Sequence, residues 1–196
     1  MRLAIFDFDG TVTTRNSFAD FILWTHGVMG ALRGLLVLSP ALIAYIFGCM
    51  PNWKAKQKVF AYFYANWEKG RFEAAAGEYA RKELPVIVRP AALQRVEWHK
   101  EQGHRVVIVS ASFEDYLKPW CDAHKVDLLA TQLEVKEGRL TGEFLSENCY
   151  GEEKLERIKQ AYNLSDFEFI YAYGDSDGDK PLAKIADEFH FKPFRG

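Results

Sequence analysis

Three apolar runs, at residues 2–6, 104–110 and 167–173, each lead into polar side chains, and that shared ending constrains the fold more than any other feature. Each run is short, rich in β-branched or aromatic residues and bounded by turn signals, which predicts buried strands. The first runs into Asp7-Phe8-Asp9-Gly10-Thr11, the second ends at Ser110, and the third ends at Gly174-Asp175 with Asp179 just beyond. Strands that alternate with helices assemble into a parallel sheet with helices on both faces. Ligands then bind beyond the carboxyl ends of the strands. Polar residues remote in sequence are therefore expected to meet at one edge.

The remaining pattern agrees with this α/β, Rossmann-like class. Pro90 opens a helix over 91–102 that Gly103 closes. Helices are also predicted over 113–124 and 152–162, a further strand over 126–131, a hairpin over 133–144 around Gly138, and a short last strand over 189–191. Residues 17–84 break the alternation. They read as helical throughout, with breaks expected at Pro51 and Gly70. Trp53, Phe60, Phe63 and Trp67 fall at helical spacing and predict one buried face. The expectation is a core formed by 1–14 and 85–196 with an inserted all-α cap over 15–84.

Composition narrows the function. The chain has 196 residues, 48% hydrophobic and 27% charged, which suits an ordinary folded domain. A net charge of -2 argues against nucleic acid as a partner. Cys49, Cys121 and Cys149 show no paired spacing, so reduced thiols and a cytoplasmic location are expected. The five histidines show no ligand spacing and are assigned to the surface or its boundary.

Asp7, Asp9, Asp175 and Asp179 crowded together would repel and require a cation, and all-oxygen donors favour magnesium. Lys154 near a helix start and the Ser110 hydroxyl would complete a site for a dianionic phosphate. Backbone N–H groups of the turn 8–11, and of Ala111 following Ser110, would add donors. Of the pair Asp7 and Asp9, one carboxylate can attack phosphorus and the other can serve as acid and base. A calcium loop at 175–186 is excluded, because Lys180 stands where glycine is required and Ala186 where the closing Glu is required.

The four motifs, namely Asp7-Phe8-Asp9-Gly10-Thr11, Ser110 in Val107-Ile108-Val109-Ser110-Ala111-Ser112, Lys154 in Gly151-Glu152-Glu153-Lys154, and Gly174-Asp175-Ser176-Asp177-Gly178-Asp179, resemble the haloacid dehalogenase superfamily. The resemblance is to its phosphoserine-phosphatase-like branch, subfamily IB, with a cap of the C1 type. It implies Asp7 as nucleophile and Asp9 as acid/base. It implies Thr11, Ser110, Ala111 and Lys154 around a small-molecule phosphate ester. Mg2+ would be held by Asp7, Asp175 and the Asp9 carbonyl, with Asp179 behind them. The sequence departs from that branch in three places. Asn16, with Asp20 further on, stands where a substrate-reading Glu is usual. Lys54, Lys56 and Lys58 are the basic residues where a cap arginine is usual. Gly178 replaces a common Asn.

Residues 34–50 carry no charge and centre on Pro40. A buried cap helix is the expected reading. The sharper hypothesis is a face resting on a membrane, as in a lipid-phosphate phosphatase, and the segment resembles the cap of phosphatidylglycerophosphate phosphatases. The same motifs also admit a phosphotransferase, which passes the phosphoryl group to an alcohol, or a non-catalytic binding module that retains the fold.

Overall fold

The structure is a computed structural model that describes residues 1–195. Five parallel strands form the sheet: β1 (Arg2–Phe6), β2 (Arg105–Phe113), β3 (Asp127–Thr131), β6 (Phe169–Gly174) and β7 (Glu188–Phe191). Their order is β3-β2-β1-β6-β7, so the winding reverses between β1 and β6. That reversal is the position at which α/β sheets open a crevice for ligands. A separate antiparallel hairpin pairs β4 (Leu133–Lys136) with β5 (Arg139–Phe144).

Strand alternation divides the apolar residues between two cores. Ala4 and Phe6 point to one face, where α5 (Pro90–Glu101) and α6 (Glu114–His124) bring Val96, Tyr116, Leu117 and Trp120. Leu3 and Ile5 point to the other, against Ile158 of α7 (Glu152–Ala161) and Leu182.

Between β1 and β2 the chain forms α1 (Ser17–Ile46), α2 (Asn52–Tyr64), α3 (Lys69–Lys82) and the short α4 (Leu84–Ile87). The way in and the way out are stitched together. Thr13 bridges Val88, Thr14 N–H donates to the Ile87 carbonyl at 2.8 Å, and Arg89 N–H donates to the Val12 carbonyl at 2.8 Å. Phe60 of α2 sits fully buried among Phe18, Tyr64, Phe72, Phe113 and Phe144, so these helices share a core with β2 and the hairpin.

Four expectations need correction. Of residues 34–50 Gly34 alone is buried, against the Phe63 ring, and the rest are exposed or partly so. Beyond the bend at Gly27 (φ 65°, ψ 176°) α1 packs on one side only, and Leu36, Ile46 and Phe47 stand 75%, 75% and 78% exposed. Pro40 does not end the helix: the Ser39 hydroxyl donates to the Leu36 carbonyl at 2.8 Å, replacing the bond that proline cannot make. Trp53 lies at the exposed start of α2, so the buried aromatic face consists of Phe60, Phe63 and the partly buried Trp67. Gly70 sits inside the first turn of α3, and the break falls at 65–68. His99 is fully buried. Its Nε2 meets the Tyr173 hydroxyl at 2.9 Å and its Nδ1 meets His104 at 2.8 Å, while burial holds its pKa down at about 3, keeping it neutral.

Because Phe60 joins the inserted helices to the sheet, Phe60→Ala should lower unfolding stability by about 3–5 kcal/mol. Urea denaturation should still show a single transition. Two separate transitions in the unsubstituted protein would contradict the shared core.

Candidate active site

Asp7 follows β1 and Asp175 follows β6, so the reversal of the sheet sets them side by side. Gly10 makes this approach practicable. It has φ +83°, and a Cβ there would lie 2.5 Å from the Asp175 Oδ2. One oxygen from each of Asp7, Asp175 and Asp179 lies within 4.8 Å of the other two. Lys154 reaches this cluster from the first turn of α7. Its ammonium donates to Asp7 Oδ1 and, at 2.6 Å, to Asp179 Oδ1. All three side chains are buried.

Burial governs the protonation of the group. It pushes the Asp7 carboxyl up to about 7, against the opposing pull of the Lys154 ammonium. Burial also disfavours the charged form of Lys154, but Asp7 and Asp179 outweigh it and hold the ammonium above its ordinary value. For Asp179 the burial penalty is exceeded by Lys154 and by donors from Ser176, so its carboxyl stays below the usual range. Asp179 Oδ2 accepts from the N–H groups of Asp175 and Ser176 at 3.1 and 2.9 Å and from the Ser176 hydroxyl at 2.8 Å. One carboxylate therefore folds the loop and faces Lys154 at once.

Asp9 is kept apart from the cluster. Its Oδ1 accepts from the Ser17 N–H at 2.7 Å and its Oδ2 from the Ser112 hydroxyl, which in turn meets Ser17 Oγ at 3.2 Å. Ser110 is buried, and its Oγ accepts from the Ser112 N–H at 3.0 Å. Thr11 Oγ1 lies 3.4 Å from Asp175 Oδ1. A cleft of about 440 Å³ includes Asp7, Asp9, Ser110, Ala111, Lys154 and Asp175 in its lining. Its outer wall is apolar: Phe18, Ile22, Leu42, Tyr45 and Val59, all from α1 and α2.

Several participants carry no sequence signal strong enough to single them out. Lys56 of α2 lines the cleft, donates to the Ala111 carbonyl and lies 4.6 Å from the centre of the Phe113 ring; burial lowers its pKa to about 8. Ser17 and Ser112 hold Asp9, and Arg195 contacts Asp175. The departures noted in the sequence also find physical reasons. The Asn16 side chain caps α1 at the Ala19 N–H (2.9 Å), and Asp20 is bound to Arg15 (2.7 Å) and to the Tyr79 hydroxyl (3.0 Å). Gly178 lies under the Tyr150 ring, where a Cβ would come within 2.2 Å of it.

A family model described as haloacid dehalogenase-like hydrolase matches residues 4–184. The chain belongs to the haloacid dehalogenase-like hydrolases. It is 34% identical to Protein CicA of Caulobacter vibrioides, over 99% of this chain and 87% of that protein. It is 28% identical to a Mycobacterium tuberculosis protein named a probable phosphatase, over 91% of this chain and 64% of that one. A Bordetella pertussis structure of unknown function matches with TM-score 0.83 and 26% identity, covering 96% of this chain and 88% of its own. A substrate-bound phosphoserine phosphatase shares the fold of this hydrolase, with TM-score 0.63 and 22% identity, covering 96% and 84%.

The Tyr150–Gly178 contact yields a pairwise prediction. Gly178→Asn alone should destabilise this hydrolase by about 1–3 kcal/mol through overpacking. Adding Tyr150→Ala should recover part of that loss, and a thermal-melt double-mutant cycle with purely additive effects would show that the contact is not what excludes Asn.

Proposed function

We propose that this protein hydrolyses phosphomonoesters through an aspartyl-phosphate formed on Asp7, with Mg2+ as cofactor. The observation that carries the reading is the meeting of Asp7, Asp175 and Asp179 around Lys154 at the reversal of the sheet. The donor set fits the ion: the clustered ligand atoms are all hard carboxylate oxygens, buried or partly so, with more negative charge than Lys154 alone can balance. Asp7, Asp175 and the Asp9 carbonyl would hold it. Bound there, it would offset the repulsion between a carboxylate and a phosphate dianion.

The chain's own residues supply the steps. Lys154 fixes the Asp7 carboxylate and leaves its second oxygen to attack phosphorus. As that Oδ–P bond forms, the ester P–O bond breaks, and Asp9, entering with a proton, gives it to the departing alkoxide. Water then attacks phosphorus, Asp9 takes its proton, and the Asp7–phosphorus bond breaks to release phosphate. Ser17 and Ser112 orient Asp9 throughout, while Ser110 and the Ala111 N–H hold phosphoryl oxygens. The inserted helices act as a cap: Lys56 and the apolar wall of α1 and α2 face the part of the substrate that leaves with the alkoxide. The name of the mycobacterial relative supports phosphatase chemistry, and the three free thiols support a cytoplasmic location.

Hydrolysis of p-nitrophenyl phosphate should disappear in chelator and return with Mg2+. Asp7→Asn should reduce it to background, and Asp9→Asn should reduce it by about 10²–10⁴-fold. Normal turnover in Asp7→Asn would remove the nucleophile.

A second reading, a lipid phosphate processed at a membrane surface, is favoured by one observation. The exposed apolar face of α1 continues into the cleft: Leu42 and Tyr45 line the cleft while Ile43 and Ile46 face outward. By length and composition α1 could cross a membrane. Its first turns, however, bury Phe18, Phe21 and Ile22 in the core, which favours a helix lying on the surface. The protein should float with anionic phospholipid vesicles, and the double variant Leu36→Glu, Phe47→Glu should stay at the bottom of the gradient. Absence of flotation in the unsubstituted protein would end this reading.

A further inference from the structure

We infer that Arg195 is a positioning residue for the divalent-cation site, its guanidinium holding the Asp175 carboxylate in the orientation the ion requires; this rests on the reading of the acid cluster as a Mg2+ site. Of the three clustered acids, two share one counter-charge. The Lys154 ammonium contacts Asp7 and Asp179. Asp175 is served by a different cation, because the Arg195 guanidinium donates to its Oδ2. Among the described residues its other oxygen has only the long 3.4 Å contact from Thr11. Asp175 is also the most open of the three, its side chain 13% exposed against 8% for Asp7 and 1% for Asp179. The Asp179 carboxylate repels it, and the Arg195 guanidinium attracts it.

The arginine is delivered by a built segment. After β7 the Lys192 N–H donates to the Gly174 carbonyl at 2.7 Å. The Phe194 ring stacks on Tyr173 at 5.7 Å and on Phe6 at 6.4 Å. The Phe194 carbonyl accepts from Arg89 at 3.5 Å, and Arg89 also donates to the Thr13 carbonyl at 3.1 Å. Phe6 immediately precedes Asp7, and Tyr173 stands two residues before Asp175. The stack therefore ties Arg195 to the two strands whose ends carry the acids.

The guanidinium and an ion can use the same carboxylate. A carboxylate offers about four lone-pair sites, and Arg195 takes one. Partners of this kind fix ligand orientation, and their loss typically weakens metal binding by about 10–100-fold. An arginine that merely filled the place of the ion would have the opposite sign, because its removal would tighten binding.

Titration calorimetry of Mg2+ into the chelator-treated protein reads that sign directly, without turnover. Arg195→Ala and Arg195→Gln should each bind Mg2+ at least about tenfold more weakly than the unsubstituted protein, with circular dichroism confirming the fold. Unchanged or tighter binding in a folded variant would overturn the inference. Asp175→Asn serves as the reference for a lost ligand. A protein that binds Mg2+ but hydrolyses no phosphomonoester would refute the proposed function and leave this inference standing. A protein that binds no Mg2+ would refute the cation site and this inference with it.

Discussion

The buried ammonium of Lys154, held between Asp7 and Asp179, is the interaction on which the rest of the site depends. Three charges removed from water carry a large desolvation cost, and only close mutual contact offsets it. That contact requires β1, the loop after β6 and the start of α7 to be held in fixed relation. The structure supplies the tie through Gly178. Its carbonyl accepts from the Gly151 N–H at 3.1 Å, and its missing side chain admits the Tyr150 ring. The residue that looks like a departure from the motif is thus part of what brings Lys154 to its partners.

Asp7 and Asp9 are two residues apart yet live in different environments, which is how two like groups come to serve different roles. Asp7 faces Lys154 in the buried cluster. Asp9 faces the Ser17 N–H and the Ser112 hydroxyl. Ser17 is the first residue of α1, so the long inserted helix begins by holding one carboxylate of the site and ends in an exposed apolar face. Whatever α1 rests on is therefore connected through one helix to the group proposed as acid and base.

What can be read from the sequence is the part written locally. Asp7, Ser110 and Asp175 each mark the point where an apolar run stops, and parallel topology then makes their meeting a geometric consequence. Lys154 is legible through its place at a helix start. Ser17 and Arg195 are not, because nothing in their immediate neighbours states which strand end they approach, and Lys56 is legible only as one of three cap lysines. Ser112, inside the second motif, is equally silent, because a serine beside a strand end carries no direction until Asp9 is placed. The run 34–50 misleads for a related reason. Apolarity says that a helix can be buried, whereas burial needs a partner surface, and past the bend at Gly27 one side of α1 has none among the described residues. His99 reads as an outward residue because histidine is polar, but Tyr173 and His104 satisfy both ring nitrogens inside the fold.

Charge balance joins these parts under the proposed mechanism. Lys154 faces Asp7 and Asp179 and Arg195 faces Asp175, while Lys56 lies in the same cleft, where the carboxylate that acts on it is Asp9. The two charges of a divalent cation would match the two of a phosphate dianion. In the proposed cycle Asp9, held by the Ser17 N–H and the Ser112 hydroxyl and not by Lys154, handles the proton, whereas Asp7, tied to Lys154, takes up the phosphoryl group.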